Sequence, residues 1–487
     1  MTREELIAEN KAQKELIISL QHQLDQLQKL IFGSKSERFV SDIPDNQLNL
    51  FSDFTSEESK EETATEEITY TRKKKKHPGR NPFPSHLPVK EEIIEPEGDL
   101  SDMVRIGEEV SETLEYIPAS LYIRRIIRPK YALKKGEGNI KIAPLPNKPI
   151  EKGIAGSSLL AWIIVSKFVD HLPFYRIRQQ LKRDYDWDPP SSTINDWFVA
   201  VCTLLKPLYN HLQNKILNSG YIQVDESHIK VLDKDKARST HRGYQWVYHG
   251  VKDGLILFHY RKGRGAHGPK EMLQSYEGWL QADGYSVYDK IAARQKIQIV
   301  GCHVHVRRKF YEAKDYDPDR GNYALGVYRQ LYDIEEYCQT MTAEERQAYR
   351  NIHSRPVLEE FKKWLDKEAI AVLPQSPMGK AIRYAIRQWN KTIRILDNGN
   401  LEMDNNLIEN KIRPLALGRK NYLFAGSHAA AQRIAIIYSF FATCKAQEIN
   451  PYIWLKETLD KIPNHPVNRL DELLPRKLTK AEEIPKM

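Results

Sequence analysis

Between residues 221 and 302 the sequence carries short apolar runs that set tight limits on the fold. Five runs are rich in β-branched and aromatic residues, as strands are: 221–225, 244–251, 255–260, 278–283 and 296–302. The second and third flank Asp253-Gly254, which is a strong hairpin signal. A helical stretch at 270–276 precedes the fourth run. The spacing therefore predicts an α/β domain with a hairpin followed by alternating helices and strands.

The predicted order is three antiparallel strands, a helix, a strand, a helix and a strand, which is the order of a ribonuclease-H-like α/β domain. After residue 310 strand patterns give way to helical stripes, so we expect a helical insertion in this core. The predicted fold class is multidomain α/β. Its divisions are a coiled coil at 1–40, an acidic then basic linker at 41–80, a small β-rich module at 81–150, a helix–turn–helix-like DNA-binding helical domain at 151–218, the first part of the core at 219–310, the helical insertion at 311–400, the completion of the core at 401–445 and a C-terminal tail at 446–487.

The formal charge of +9 is distributed unevenly along the 487 residues. Residues 1–70 carry 7 Lys or Arg and 15 Asp or Glu, a net of −8, and the remaining residues carry a net of +17. Asymmetry of this kind is more informative than the total charge. The basic body favours a polyanion such as DNA as a partner.

Cysteine usage and hydropathy restrict the cellular compartment. The four cysteines lie at least 36 residues apart, which excludes paired metal-binding motifs and a secreted disulfide scaffold. No run approaches 18 apolar residues, and the charged N-terminus has no apolar signal core. We therefore expect no membrane association and a cytoplasmic, nucleoid-associated protein.

Residues 6–31 carry a heptad pattern. Apolar or amide side chains recur at alternating spacings of four and three residues: Leu6, Asn10, Gln13, Ile17, Leu20, Leu24, Leu27 and Ile31. Ile17 and Leu24 share one core position with Asn10, a residue that can fix register. The pattern predicts a coiled coil that makes the protein a homo-oligomer. The alternative is a single amphipathic helix packed on its own chain.

Two segments upstream of the core are candidates for DNA contact. Lys73, Lys74, Lys75 and Lys76 form a basic run that is either a phosphate-binding arm or a solvated charge run. Residues 173–198 have a helix–turn–helix pattern with Ser191 or Ser192 as the expected N-cap. Such a unit would bring Thr193 and Asn195 to a DNA groove. The run 121–127 predicts a strand in the preceding module.

Three acids are candidates for metal-dependent chemistry. Asp225 and Asp283 each end an apolar run, and Glu409 follows Asp404, the expected cap of a helix. Converging carboxylates repel one another unless cations neutralise them. Oxygen ligands without paired Cys or His favour Mg²⁺ or Mn²⁺, and two such ions can cut and join phosphodiesters. The pattern predicts that all three acids are catalytic metal ligands.

Rival acids and neighbouring cations surround this set. Glu226 should project to the opposite face of its strand, and Asp289 lies beyond the end of the fourth run, so both are weaker candidates. His303 and His305 follow the fifth run and suit either proton handling beside the site or a structural role. Basic residues after the last strand and after the third acid are candidate phosphate contacts: Arg307, Arg308, Arg413, Arg419 and Lys420.

The sequence resembles the large transposase of insertion-sequence family 66 across nearly its whole length. Long matching motifs carry the resemblance: 30–38, 166–176, 281–285, 301–310, 404–414, 418–427 and 464–475. The resemblance implies a DDE transposase whose acidic triad corresponds to Asp225, Asp283 and Glu409. It also implies element ends and target DNA as partners, together with two small companion proteins of the same element.

Two positions depart from the family pattern. The family usually has a small zinc-binding module with paired cysteines, but the matching stretches 95–99 and 131–138 contain no Cys or His. We therefore expect a degenerate module without structural zinc. Asn410 stands where the family commonly has Arg, which removes one candidate phosphate contact.

Three functions compete at this point. An active transposase cuts element ends and joins 3′-hydroxyls to target DNA with two metal ions. A catalytically silent DNA-binding relative would keep only the helical domain and the basic body. A general nuclease of ribonuclease-H type would need neither the coiled coil nor the N-terminal modules. Since all three acids are present, we favour the active transposase.

Overall fold

The computed structural model describes residues 120–127, 130–131, 141–142, 147–151, 153–233, 240–293 and 296–477. The predicted coiled coil at 6–31 and the basic run at 73–76 lie outside the described residues. In the module predicted at 81–150, β1 (Lys130–Tyr131) pairs antiparallel with β2 (Lys141–Ile142). The strand predicted at 121–127 is not formed, and these residues have no regular secondary structure. Their large apolar side chains are exposed, so no burial stabilises a strand there.

Three helices follow in the region predicted to be helical. They are α1 (Ser157–Phe168), α2 (Phe174–Tyr185) and α3 (Ser191–Leu217). The turn between α2 and α3 is closed by aromatic contacts: the ring centroids of Trp187 and Trp197 are 6.2 Å apart, and those of Phe174 and Phe198 are 5.6 Å apart. The predicted helical hairpin is therefore present, with Ile177, Leu181 and Ile194 buried inside it.

The start of α3 differs from the prediction. Pro190 precedes the helix with an extended backbone, and no side chain caps the helix. Ser191 and Ser192 thus lie inside the first turn, so the expected serine cap is wrong. With Pro190 at the N-cap, the helix begins one residue earlier than a Ser191 cap would set it and two residues earlier than a Ser192 cap would.

A five-stranded mixed sheet follows the helices. Its elements are β3 (Tyr221–Leu232), β4 (Thr240–Gly250), β5 (Leu255–Arg261), α4 (His267–Met272), β6 (Gly278–Ala282), α5 (Ser286–Ala292) and β7 (Ile297–Gly301). The strand order is β5-β4-β3-β6-β7. β3 pairs antiparallel with β4 and parallel with β6. Strands and helices thus occur in the predicted order.

β3 is longer than its apolar run. It continues past Asp225 to Leu232 and pairs with β4 along its length. Ile229 and Val231 are fully buried in this second half, although polar residues precede them. The prediction that the strand ends at Asp225 is therefore wrong, because cross-strand pairing with β4 carries the strand through its polar stretch.

Helices complete the described structure. They are α6 (His303–Ala313), α7 (Pro318–Tyr337), α8 (Ala343–Ala371), α9 (Pro377–Thr392), α10 (Asn406–Tyr422), α11 (His428–Ala446) and α12 (Pro451–Lys461). Thr342 and Glu345 form a capping box at the start of α8. Across the described residues, none of the helices combines the length and apolar character that crossing a bilayer requires.

The apolar residues form two cores. One joins α1, α2, α3, α11 and α12 to β3, β4 and β5, and the other joins α6 to α9 and the loop before α10. α11 also closes the outer edge of the sheet, since Ser439 and Thr443 accept the β5 amides of Phe258 and Ile256 at 2.8 and 3.0 Å. The edge strand is therefore covered rather than open for pairing with another chain.

Candidate active site

Two of the predicted acids follow the paired stretch of β3 and β6. Gln223 of β3 is opposite Gln281 of β6 in the last pair of the parallel register, and β6 ends at Ala282. Asp225 lies two residues further along β3, and Asp283 lies in the turn that follows β6. The charge of Asp283 raises the pKa of Asp225, so the two acids lie close enough to interact.

Asp225 occupies a desolvated position. The amide of Glu226 donates a hydrogen bond to its Oδ1 at 2.7 Å. Burial, together with the charges of Glu226, Asp283 and Glu409, raises the pKa of Asp225 to about 8 against the effect of that amide. All three candidate acids are thus close enough to interact electrostatically. The ionised form of Asp225 needs a nearby cation at neutral pH.

Asp283 lies in the turn after β6. Its Oδ1 accepts the amide of Tyr285 at 3.0 Å, and its carbonyl accepts the hydroxyl of Tyr384 in α9 at 3.2 Å. Gly284 has a φ of +90°, and a Cβ there would lie 3.1 Å from the Tyr384 hydroxyl and 3.0 Å from Gln388 Nε2. A glycine is favoured at this turn because the positive φ strains other residues and a Cβ would be tightly packed. The turn fixes Asp283 against α9.

A buried network of side-chain amides holds the loop that precedes Glu409. Gln223 and Gln281 donate to the carbonyls of Asp404 and Glu402 at 3.0 and 2.8 Å. Asn405 donates to the carbonyl of Val224 at 3.2 Å. These bonds tie the loop before α10 to the sheet face that carries the aspartates.

The end of that loop sets the start of α10. Asp404 accepts the amide of Asn406, the first residue of α10, at 2.8 Å, but Asn405 occupies the N-cap position and no side chain caps the helix, so the predicted Asp404 cap is wrong by one residue. Glu409 lies in the first turn of α10, and its amide donates to the Asn405 carbonyl at 3.2 Å. The third acid is therefore held near the other two by short-range geometry as well as by the network.

Both rival acids are held in ion pairs. Arg264 donates from Nε to Glu226 Oε1 at 2.6 Å, and its guanidinium lies 4.7 Å from the ring centroid of Tyr285. Lys391 of α9 pairs with Asp289 at 2.7 Å. Each of the two acids therefore has a basic partner. The sequence reasoning missed Arg264, Tyr285 and Tyr384, since none belongs to a charged or apolar pattern that marks a site.

The two histidines have different surroundings. His303 is buried, and its Nε2 lies 3.1 Å from the carbonyl of Thr392. Burial lowers the pKa of His303 to about 4, so it is a neutral core residue. His305 is half-buried, and its Nε2 lies 3.9 Å from Glu409 Oε1. Of the two, the structure brings only His305 to a candidate acid.

The donors suit a hard divalent cation. Mg²⁺ and Mn²⁺ prefer carboxylate oxygens, and a cation offsets the burial and repulsion that disfavour ionised Asp225. Among the residues that the structure describes, no three His, Cys, Asp or Glu side chains are arranged to hold one ion by themselves.

Comparison with known families identifies the chain. Residues 152–433, more than half of its length, match the model of the transposase IS66 family. The chain belongs to the IS66 transposase family. Residues 439–475 match the IS66 C-terminal element, and residues 19–91 match a model described as transposase C of IS166 homeodomain. The resemblance seen in the sequence motifs is therefore confirmed.

Relatives in Sinorhizobium fredii support this membership. The chain is 31% identical over 414 residues to the uncharacterized protein y4jD, which covers 81% of each chain. It is 29% identical over 492 residues to the uncharacterized protein y4hP, which covers 94% of this chain and 88% of the relative. Since these relatives are uncharacterized, the functional argument rests on the IS66 family as a whole.

One expectation about cofactors is wrong. Residues 96–132 match the zinc-finger binding domain of transposase IS66, which contradicts the prediction that no structural zinc is expected. That prediction used Cys and His as its signal, and residues 96–132 contain neither. The rest of the module's sequence identifies its family, so the absence of Cys and His did not exclude a match to the zinc-finger binding domain.

A transposase binds DNA, and the predicted contact residues lie on three helices. On α3, Thr193 is half-buried and Asn195 is exposed, and on α6, Arg307 and Arg308 are half-buried. On α10, Arg413 and Lys420 are exposed. Arg419 donates to Ser227 Oγ at 2.9 Å and to the His228 carbonyl at 2.8 Å, so it anchors α10 to β3. Lys73 to Lys76 lie outside the described residues.

Proposed function

We propose that this IS66 family member is an active DDE transposase that cuts the ends of its element and joins their 3′-hydroxyls to target DNA. Asp225, Asp283 and Glu409 carry the reaction. The observation that supports this most directly is the desolvated Asp225, which interacts electrostatically with both other acids. Carboxylates placed in this way are tolerated at neutral pH when cations are bound.

Each acid has a distinct task in this proposal. Asp225 senses the charges of both other acids, so we assign it as the ligand shared between two ions. Asp283 and Glu409 each complete one of the two positions. Bound Mg²⁺ or Mn²⁺ would activate water or a 3′-hydroxyl and stabilise the leaving oxygen of the phosphodiester. His305, beside Glu409, orients that carboxylate.

The topology supports a ribonuclease-H-like assignment. An antiparallel β3–β4–β5 unit joins parallel β6 and β7 in the order β5-β4-β3-β6-β7. Helices α7, α8 and α9 occur between α6 and the helix that carries Glu409, and we interpret them as an insertion in the core. The proposal also includes a homo-oligomer through residues 6–31, two companion proteins of the element and a nucleoid location.

The test uses the full-length protein with duplexes carrying the ends of its own element and a supercoiled target plasmid. With Mg²⁺ or Mn²⁺ we expect strand cleavage at the ends and covalent joining to the plasmid. Asp225→Asn, Asp283→Asn and Glu409→Gln should each lower both rates about a thousandfold or more. Binding to end DNA should persist in these variants, because removing a negative charge does not weaken phosphate contacts.

Asp289→Asn is the matched control, since Asp289 is a nearby acid already paired with Lys391. It should retain both activities within a few-fold. If the wild-type protein binds ends without nicking them, the catalytically silent relative is correct instead. If Asp225→Asn cleaves at the wild-type rate, the assigned triad is wrong.

A further inference from the structure

A basic cleft lies between α6 and α9, beside the candidate active site. Its volume is about 770 Å³, and its charged and aromatic lining consists of Lys309, Glu312, Lys380, Arg383, Tyr384 and Arg387. Lys309 and Glu312 pair with each other at 2.7 Å, so their charges offset one another. The three cations of α9 therefore determine the charge of the cleft.

These cations form a stripe on one face of α9. Lys380, Arg383 and Arg387 are spaced by three and four residues and are all exposed. In the described part of the chain no carboxylate pairs with any of them. The stripe spans about 10.5 Å along the helix axis, about the axial rise of three nucleotides of a DNA strand.

The cleft is continuous with the turn that carries the second acid. Tyr384 lines the cleft and donates its hydroxyl to the carbonyl of Asp283 at 3.2 Å. The guanidinium of Arg387 lies 5.3 Å from the centroid of the Tyr384 ring. A polyanionic strand that follows the stripe of α9 would therefore run directly to Asp283.

We propose that this cleft binds the phosphodiester backbone of the DNA strand that enters the active site. The inference rests on the proposed transposase function and specifies where its substrate lies. Guanidinium groups form bidentate hydrogen bonds with phosphate oxygens, and unpaired cations in a row match a regularly charged polyanion. The cleft supplies affinity and strand direction, and it reads no base sequence.

The test removes two charges from the stripe in the full-length protein through Arg383→Gln with Arg387→Gln. Lys363→Gln with Lys367→Gln is the matched control, because both lysines are exposed on α8 and neither lines the cleft. Binding is measured across a salt series with the protein carrying Asp225→Asn and without divalent metal. We expect the slope of log K against log salt to fall by about 1.8 in the cleft variant, or 0.9 for each lost phosphate contact, and to stay unchanged in the control.

Two DNA probes distinguish the source of the strand. A reduced slope on an element-end duplex assigns the cleft to the end, and a reduced slope only on an unrelated duplex assigns it to target DNA. Unchanged slopes on both probes, or an equal loss in the control variant, would overturn the proposal. Because this assay requires no cleavage, the proposed catalytic function can fail while the cleft assignment stands, and the reverse is also possible.

Lys380→Gln alone should lower the slope by about 0.9 and serves as an independent variant.

Discussion

Lys167 of α1 is a buried cation without a carboxylate partner among the described residues. Its Nζ lies 4.3 Å from the ring centroid of Phe174, 5.2 Å from that of Tyr422 and 5.6 Å from that of Phe168. Burial lowers the pKa of Lys167 from 10.5 to about 8. The aromatic rings compensate part of the desolvation, so one lysine joins α1, α2 and α10 at a cost to stability.

Replacing Lys167 with methionine should stabilise the protein at pH 7. The unfolded chain binds the lysine proton more tightly than the folded chain, so the charge destabilises the fold below pH 8 by about 3 kcal/mol. This penalty shrinks as the pH rises from about 8 to 10.5, where both states become neutral. After the loss of the cation–π contacts, we expect Lys167→Met to raise the free energy of unfolding by about 2 kcal/mol at pH 7. Urea denaturation at pH 7 and pH 10 measures the difference.

Lys367→Met provides the control, because Lys367 is exposed on α8. Its effect should remain within about 0.5 kcal/mol at both pH values. A Lys167→Met protein that is less stable than wild type at pH 7 would mean that the aromatic contacts outweigh the desolvation of the ammonium.

At the level of elements, the sequence predicted strands correctly where apolar runs and turn residues indicated the same boundaries. The hairpin at Asp253-Gly254 and the strands β6 and β7 were predicted to within a few residues. The second half of β3 was missed, because Glu226 to His228 are polar and only pairing with β4 makes them a strand. The run at 121–127 failed for the opposite reason, since it has strand composition but its side chains are exposed.

The sequence also predicted three catalytic acids but gave no indication of the contacts that hold them together. Gln223 and Gln281 lie inside apolar runs, where a pattern search treats them as interruptions. In the structure both are fully buried and bind the carbonyls of Asp404 and Glu402, more than a hundred residues further along the chain. Contacts across such a separation depend on how the elements pack, so local periodicity carries no signal for them.

Gln281→Leu should loosen the loop that precedes α10. Gln281 accepts from Gln223 at 2.8 Å, contacts the Tyr221 hydroxyl and donates to the Glu402 carbonyl. The substitution leaves buried donors and an acceptor without partners, which costs about 2–4 kcal/mol in the free energy of unfolding. We also expect end cleavage to fall more than end binding does, because Glu409 depends on this loop for its position. Denaturant titration and the cleavage assay give the two readouts.

Gln298→Leu is the corresponding control on β7, where the glutamine is exposed. It should change stability by less than about 0.5 kcal/mol. A loss of less than about 1 kcal/mol in Gln281→Leu, with normal cleavage, would show that the network does not position Glu409.

At the scale of the whole molecule, a strongly basic chain contains three candidate catalytic acids. The chain after residue 70 carries a net of +17, which attracts DNA along its length. The three candidate catalytic acids lie within that basic body, where burial and neighbouring negative charges raise the pKa of Asp225 to about 8. In the proposed mechanism, the cations of the cleft on α9 would bind the DNA backbone and the neighbouring acids would bind the metal ions.

The acidic first 70 residues include the heptad at 6–31, and the predicted coiled coil assigns them to oligomerisation. A transposase that joins two ends benefits from two linked subunits, since linkage raises the effective concentration of the second site.

Ile17 and Leu24 occupy the same predicted core position, so charges there would be desolvated in a dimer. Ile17→Lys with Leu24→Lys in the full-length protein should therefore convert a dimer into a monomer by sedimentation velocity, with DNA absent and present. Ser19→Lys with Gln26→Lys adds the same charge at outward heptad positions and should leave the dimer intact. Equal sedimentation of both variants and wild type as monomers at high concentration would contradict the coiled coil and leave the helix packed on its own chain.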